Sequence, residues 1–109
     1  TGKIALAYPS DYGYAADLSK CGQNLFNYNN NTCTSNNWMK TIIAPNYGWL
    51  LTTHSDYAYD AWVVLSSGSV GGGIYAYYSS GVAPVLYLDS ELAVKAGTGS
   101  SSAPYQLST

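Results

Sequence analysis

From Trp49 onward the chain is a succession of apolar and aromatic runs too short for helices and separated by Ser/Gly or Asp/Ser clusters. "WLLTT" (49–53), "AWVVLSS" (61–67), "VGGGIYAYY" (70–78) and "VAPVLYL" (82–88) are of strand length and rich in β-branched and aromatic residues. Runs of that length bury their apolar residues only by pairing, so this half of the molecule is expected to be antiparallel β-sheet. "SSGS" (66–69) is short and contains Gly68, which predicts a hairpin between its flanking runs. "SSG" (79–81) predicts a second one.

The first half is less regular. "KIALAY" (3–8) alternates Ile4 and Leu6 with smaller residues and reads as a strand. "PSDYGYAADLSK" opens with turn chemistry, and its Ala15–Lys20 portion makes a turn of helix at best. "NNWMKTII" (36–43) predicts a short helix beginning near Asn36 or Asn37 and stopped by "APN". The tail offers "LAVKA" (92–96) and "YQL" (105–107) as two short edge strands around a Gly/Ser-rich stretch. Without an internal repeat or linker, residues 1–109 read as a single domain.

Period-2 alternation assigns faces. In 70–78, Val70, Gly72, Ile74, Ala76 and Tyr78 share the more apolar side and are placed inward, so Tyr75 and Tyr77 project outward beside Gly71 and Gly73. The run 82–88 is apolar on both faces, with Val85 and Tyr87 opposite Leu86 and Leu88, and is expected to be a central, doubly covered strand. Pro84 lacks a ladder donor and belongs at that strand's start or at a bulge.

Cys21 and Cys33 bracket "CGQNLFNYNNNTC", a run of turn formers. No third or fourth sulfur or imidazole is close enough in sequence for zinc, and the spacing is not Cys-x-x-Cys, so a structural disulfide is expected, in an oxidising, exported setting.

Charge excludes further classes. Ten residues are charged, 9% of the chain against about 25% in ordinary soluble domains, and arginine is absent. A net charge of −2 on scattered lysines leaves no basic stripe to engage phosphates, so no nucleic-acid partner is expected. No apolar run reaches the ~18–20 residues a membrane-spanning helix needs, so no membrane insertion by this segment is expected. The chain begins without Met or a signal peptide and reads as a mature or excised fragment. Tyr (12), Ser (14), Gly (11) and Asn (8) dominate, the palette of binding loops and equally of an exported protein kept soluble without charge.

The ordered combination of "GKIALAYPSDYGYA", the Cys…Cys loop followed by "NNWM", "GWLLTT" and "GVAPVLYLDSEL…GTGSSSAPYQL" resembles a family of exported domains from Gram-positive gut bacteria. That family's usual signature is Gly-Val-Arg-Pro-Val-Leu-Tyr-Leu, and the resemblance spans nearly the whole chain. It implies an α+β, C-type-lectin-like fold related to the formylglycine-generating enzymes. The features implied are a mostly antiparallel twisted sheet, one or two short helices and a disulfide-stapled loop. It also implies display at the end of bacterial surface proteins, some carrying type IV pilin-like leaders. Ala83 stands where the family has arginine, so any contact that arginine makes is missing. The pilin-type leader is outside this sequence, and filament association enters by analogy.

Candidate chemistry is sparse. His54, Ser55 and Asp56 are adjacent in sequence, which does not place nucleophile, base and orienter around one atom. Asp56 and Asp60 fall short of the six to eight oxygens calcium takes, and no metal or other cofactor is expected. Asn30-Asn31-Thr32 matches the glycosylation pattern only. Trp38, Trp49 and Trp62 read as core anchors. Tyr57, Tyr59, Tyr75 and Tyr77 alternate with small residues and, with Asp56 and Asp60, form the candidate ligand-binding set. Their rings either stack on a ligand or pair across strands to stabilise the sheet. The expectation is a non-catalytic cell-surface recognition or adhesion module for a glycan or protein ligand, with self-association in a filament as the alternative.

Overall fold

A computed structural model describes residues 4–22, 25, 28, 31–43 and 45–108. Lys3 of the first predicted strand, Asn30 of the glycosylation pattern and Ala44 of the predicted helix stop lie outside the described residues. The result is a small mixed α/β domain with antiparallel sheets, three short helices among the described residues, and a Cys21–Cys33 disulfide.

Among the described residues the strands form three separate sheets, not one. β2 (Gly48–Thr53), β3 (Asp60–Val64) and β4 (Val70–Tyr75) make an antiparallel meander with β3 in the middle. β1 (Ile4–Leu6) pairs with β5 (Pro84–Leu86), and β6 (Ala93–Ala96) pairs with β7 (Gln106–Ser108) as a C-terminal ribbon. The Leu51 N–H to Ala7 carbonyl bond (2.8 Å) ties β1 to β2, and Trp49 N–H to Gly81 carbonyl (3.0 Å) ties the start of the 82–88 segment to β2.

The hairpin expected at 66–69 forms. Leu65 and Ser69 close its turn, and Gly68 adopts a φ of +89°, which a β-carbon disfavours. The hairpin expected at 79–81 does not form, because the 82–88 run turns away to pair with β1. Nor is that run central or doubly covered. Val82, Leu86, Tyr87 and Leu88 are exposed, and only Ala83 and Val85 pack on the core. The doubly covered strand is β3, whose consecutive Val63 and Val64 are both fully buried. A continuous apolar run identifies a strand without saying which of its faces are covered. Pro84 begins β5, where its missing N–H costs least.

The inward assignment for 70–78 holds for Val70 and half-buried Ile74 but fails for Gly72, Ala76 and Tyr78, all exposed. Ala61 pairs with Ile74 and Val63 with Gly71, so β4 carries one extra residue there. Gly73, at φ +89°, accommodates this bulge. β4 then ends at Tyr75, and Tyr78 N–H closes a turn onto the Tyr75 carbonyl (3.0 Å), bringing Tyr78 outward.

The predicted turn at 9–14 is a helix, α1 (Pro9–Tyr14), with proline at its first position and the Asp11 carboxylate accepting the Tyr8 N–H at 2.8 Å. Instead of one helix from Asn36, a five-residue α2 (Asn31–Ser35) carries Cys33 at the end of the disulfide loop and a four-residue α3 (Lys40–Ile43) follows it. Asn37 is withdrawn from any helix by its side chain. The buried amide donates to the Tyr12 carbonyl (2.7 Å) and the Tyr28 hydroxyl (3.1 Å), and its oxygen accepts the Met39 N–H (2.9 Å). Three bonds from one buried side chain offset its desolvation and lock the first half onto α1.

Candidate functional site

The β3–β4 hairpin gathers tyrosines at its open end. Asp60 pairs with Tyr75 across the ladder, and Ala76 N–H bonds to the Tyr59 carbonyl (2.9 Å) just beyond it. This register sets Tyr59 and Tyr75 side by side with ring centroids 5.8 Å apart. Tyr75 stacks on Tyr77 at 5.2 Å with planes 11° apart, and Tyr77 meets Tyr78 at 4.8 Å. All four rings are exposed, from 39% for Tyr75 to 74% for Tyr77. The result is a contiguous aromatic patch whose members hold one another in place.

Asp60 lies within this patch. It is buried, with 6% exposure, and its Oδ1 has no hydrogen-bond partner among the described residues. Crowding by the neighbouring rings, then the hydrogen bond with Tyr78 and the charges of Tyr78, Tyr75 and Asp60, push the Tyr77 phenol above its usual range. The Tyr77 hydroxyl is therefore neutral at physiological pH, able to donate as well as accept hydrogen bonds.

Of the sequence-predicted set, Tyr59, Asp60, Tyr75 and Tyr77 come together, whereas Tyr57 and Asp56 do not join them in this patch. Tyr57 contacts His54 at 5.6 Å, and His54 stacks on Trp62 at 5.4 Å with planes 22° apart. Asp56 sits at the exposed tip of that loop, accepting from the Ser55 hydroxyl at 3.3 Å while its N–H donates to His54 Nδ1 at 3.3 Å. The Ser55 hydroxyl thus bonds to Asp56 and not to the imidazole.

Tyr78 was missed because the strict alternation that placed it inward ends at Tyr75. It borders a cleft of about 280 Å³ lined by Tyr47, Ile74, Ser79 and Ser80, so serine hydroxyls adjoin the aromatic patch. The expected core role holds least for Trp38, which is 65% exposed. Trp49 and Trp62 are half-buried, with Trp62 packed on the core. Trp38 fails as an anchor because its neighbours Asn37 and Met39 take the inward positions.

Among the described residues no helix is long and apolar enough to cross a membrane. No protein family, curated protein or solved structure matches the chain, which leaves the geometry to carry the functional reading.

Proposed function

We propose that this domain is a non-catalytic recognition or adhesion module acting outside the cell, and that it binds a glycan or protein ligand through the tyrosine patch. The supporting observation is the set of four exposed, mutually packed rings of Tyr59, Tyr75, Tyr77 and Tyr78 on a hairpin, beside the serine-lined cleft. Rings fixed in advance lose little freedom on binding. Their amphipathic faces suit both a sugar ring and an apolar protein patch. The disulfide is compatible with an exported setting.

A C-type-lectin-like arrangement within the observed fold class belongs to the same proposal. The Trp49 strand and central hairpin sharing one sheet support it, although the Val-Ala-Pro-Val segment pairs with β1 outside that sheet. The test is an array of glycans and surface proteins probed with the intact chain and with a Tyr75→Ala/Tyr77→Ala variant. Loss of a ligand in a folded variant is expected. Retained binding overturns the site.

The C-terminal ribbon favours the second reading, a subunit or decoration of a surface filament. All four residues of β6 are exposed, and Val94 and Leu107 face each other across the ribbon in the open. Such a two-stranded ribbon leaves edge groups for another copy to pair with. Sedimentation at rising concentration decides this reading: assembly abolished by Val94→Lys supports it, and a persistent monomer rejects it.

A further inference from the structure

A second cleft, of about 470 Å³, shares no residue with the tyrosine patch. Its walls come from α1 (Asp11, Tyr14), the segment before α3 (Trp38, Met39) and β5 with its following residue (Leu86, Tyr87). Its volume is in the range of small-ligand sites, which are mostly apolar with a few fixed polar groups.

Three aromatic side chains on this lining are left in the open. Tyr14 is 77% exposed, Trp38 65% and Tyr87 73%. The Trp38 backbone is nevertheless fixed, since its N–H bonds to the Ala15 carbonyl at 3.3 Å next to buried Asn37. In the tyrosine patch each ring packs beside another while remaining exposed. Here none of the three stacks on another described ring, so their faces remain free.

The cleft also holds a carboxylate with no ion-pair partner among the described residues. Asp11 is fixed by two donors, the Tyr8 N–H to Oδ2 at 2.8 Å and the Tyr87 hydroxyl to Oδ1 at 3.2 Å. Neither donor carries a formal charge, and the ion pair among the described residues is Lys20 with Asp17, elsewhere. The Asp11 hydrogen bond and charge raise the Tyr87 phenol's pKa, as expected beside an anion.

Open aromatic faces around a fixed carboxylate suit a cation that needs no hydrogen bonds of its own. A methylated ammonium is attracted by ring faces within about 6 Å and by the carboxylate field. A sugar would instead require partners for several hydroxyls, and both Asp11 oxygens already hold a donor. We propose that this cleft binds a quaternary ammonium head group of the choline type, between Trp38, Tyr14 and Tyr87, with Asp11 as counter-charge.

Calorimetric titration of the intact chain tests this with choline, with 3,3-dimethyl-1-butanol as its neutral isostere, and with glucose. Choline is expected to bind, and the isostere and glucose at least tenfold more weakly. Asp11→Asn, which removes the charge and keeps an oxygen for one of the two donors, is expected to weaken choline at least tenfold, and Trp38→Ala to remove its binding. Tyr75→Ala/Tyr77→Ala is expected to leave choline binding unchanged. Equal affinity for choline and the neutral isostere overturns the proposal without reliance on any variant's folding. So does the absence of saturation by about 10 mM choline, weaker than the millimolar range. Given choline binding, co-sedimentation with phosphatidylcholine vesicles assigns the head group to a lipid; without co-sedimentation it belongs to a soluble or polymer-borne source.

Discussion

The hydroxyl of buried Tyr12 donates to the carbonyl of Gly68 at 2.7 Å, joining α1 to the β3–β4 turn across 56 positions of sequence. The Tyr12 ring also meets Tyr28 edge-on at 5.6 Å, and Tyr28 accepts from Asn37 and donates to the Gly13 carbonyl at 3.3 Å. One buried polar chain therefore connects the loop-rich first half to the sheet that presents the tyrosine patch. Tyr12→Phe preserves the ring but strands the Gly68 carbonyl. The expected cost is about 1–3 kcal/mol, the penalty for an orphaned buried acceptor, read as a lower urea midpoint with an unchanged m-value.

The same residue sets an alkaline limit. Burial, then the nearby Tyr28 hydroxyl, raises the Tyr12 pKa well above the ordinary value near 10, and burial raises Tyr28 against the opposing Asn37 hydrogen bond. Above about pH 10 the unfolded chain releases these protons while the folded chain retains them, so unfolding is favoured as pH rises. The stabilisation is complete below pH 10 and decays above it, by up to about 1.4 kcal/mol per pH unit for each retained proton. Urea midpoints taken between pH 8 and pH 11 are expected to fall steeply past 10, and less steeply in Tyr12→Phe.

Cys21 and Cys33 are both buried, with Cα atoms 4.7 Å apart, and they close a 12-residue separation rich in turn formers. Closing that loop in the unfolded chain is worth roughly 3 kcal/mol in the chain-entropy description. A Cys21→Ser/Cys33→Ser variant, or reductant added to the native chain, is expected to lower the melting temperature substantially. An unshifted melt means that the loop's own contacts, with Asn37 foremost, already fix it.

What the sequence disclosed followed from local rules. The "SSGS" turn, the β3 and β4 runs, the placement of Pro84 and the cysteine pair each depend on a few neighbouring residues, and each formed. Partner choice was not local. Val82–Leu88 has the same composition whether it pairs with β4 or β1, and only the three-dimensional competition for β1 decides. Strict alternation ends where β4 ends, at Tyr75, which is why Tyr78 was placed inward although its ring lies outward against Tyr77. In "YPSD", proline at the first helical position and aspartate at the third were a helix start mistaken for a turn. Trp38 shows the opposite error: residue type argued for burial, and Asn37 beside it took the interior through its three hydrogen bonds.

Gly68 has two independent reasons to resist a side chain. Its φ of +89° lies in the left-handed region, and a β-carbon there would stand 2.8 Å from Lys40 Cδ and 3.0 Å from Thr34 Cβ. The lysine stem has room to swing aside, but the backbone strain remains, so Gly68→Ala is expected to cost about 1–2 kcal/mol. Gly22 is the control: a β-carbon there meets nothing within 4 Å and its φ is not positive, so Gly22→Ala is expected to be neutral or slightly stabilising. Because Tyr12 bonds to the carbonyl of Gly68 itself, tilting that turn should also weaken the bond. The double variant Tyr12→Phe/Gly68→Ala is then expected to lose less than the sum of its single changes by at least about 0.5 kcal/mol, the scale of coupling between residues in contact. Strict additivity in the urea midpoints would mean that the turn keeps its hydrogen bond despite the added methyl, and that the strain is absorbed on the Lys40 side.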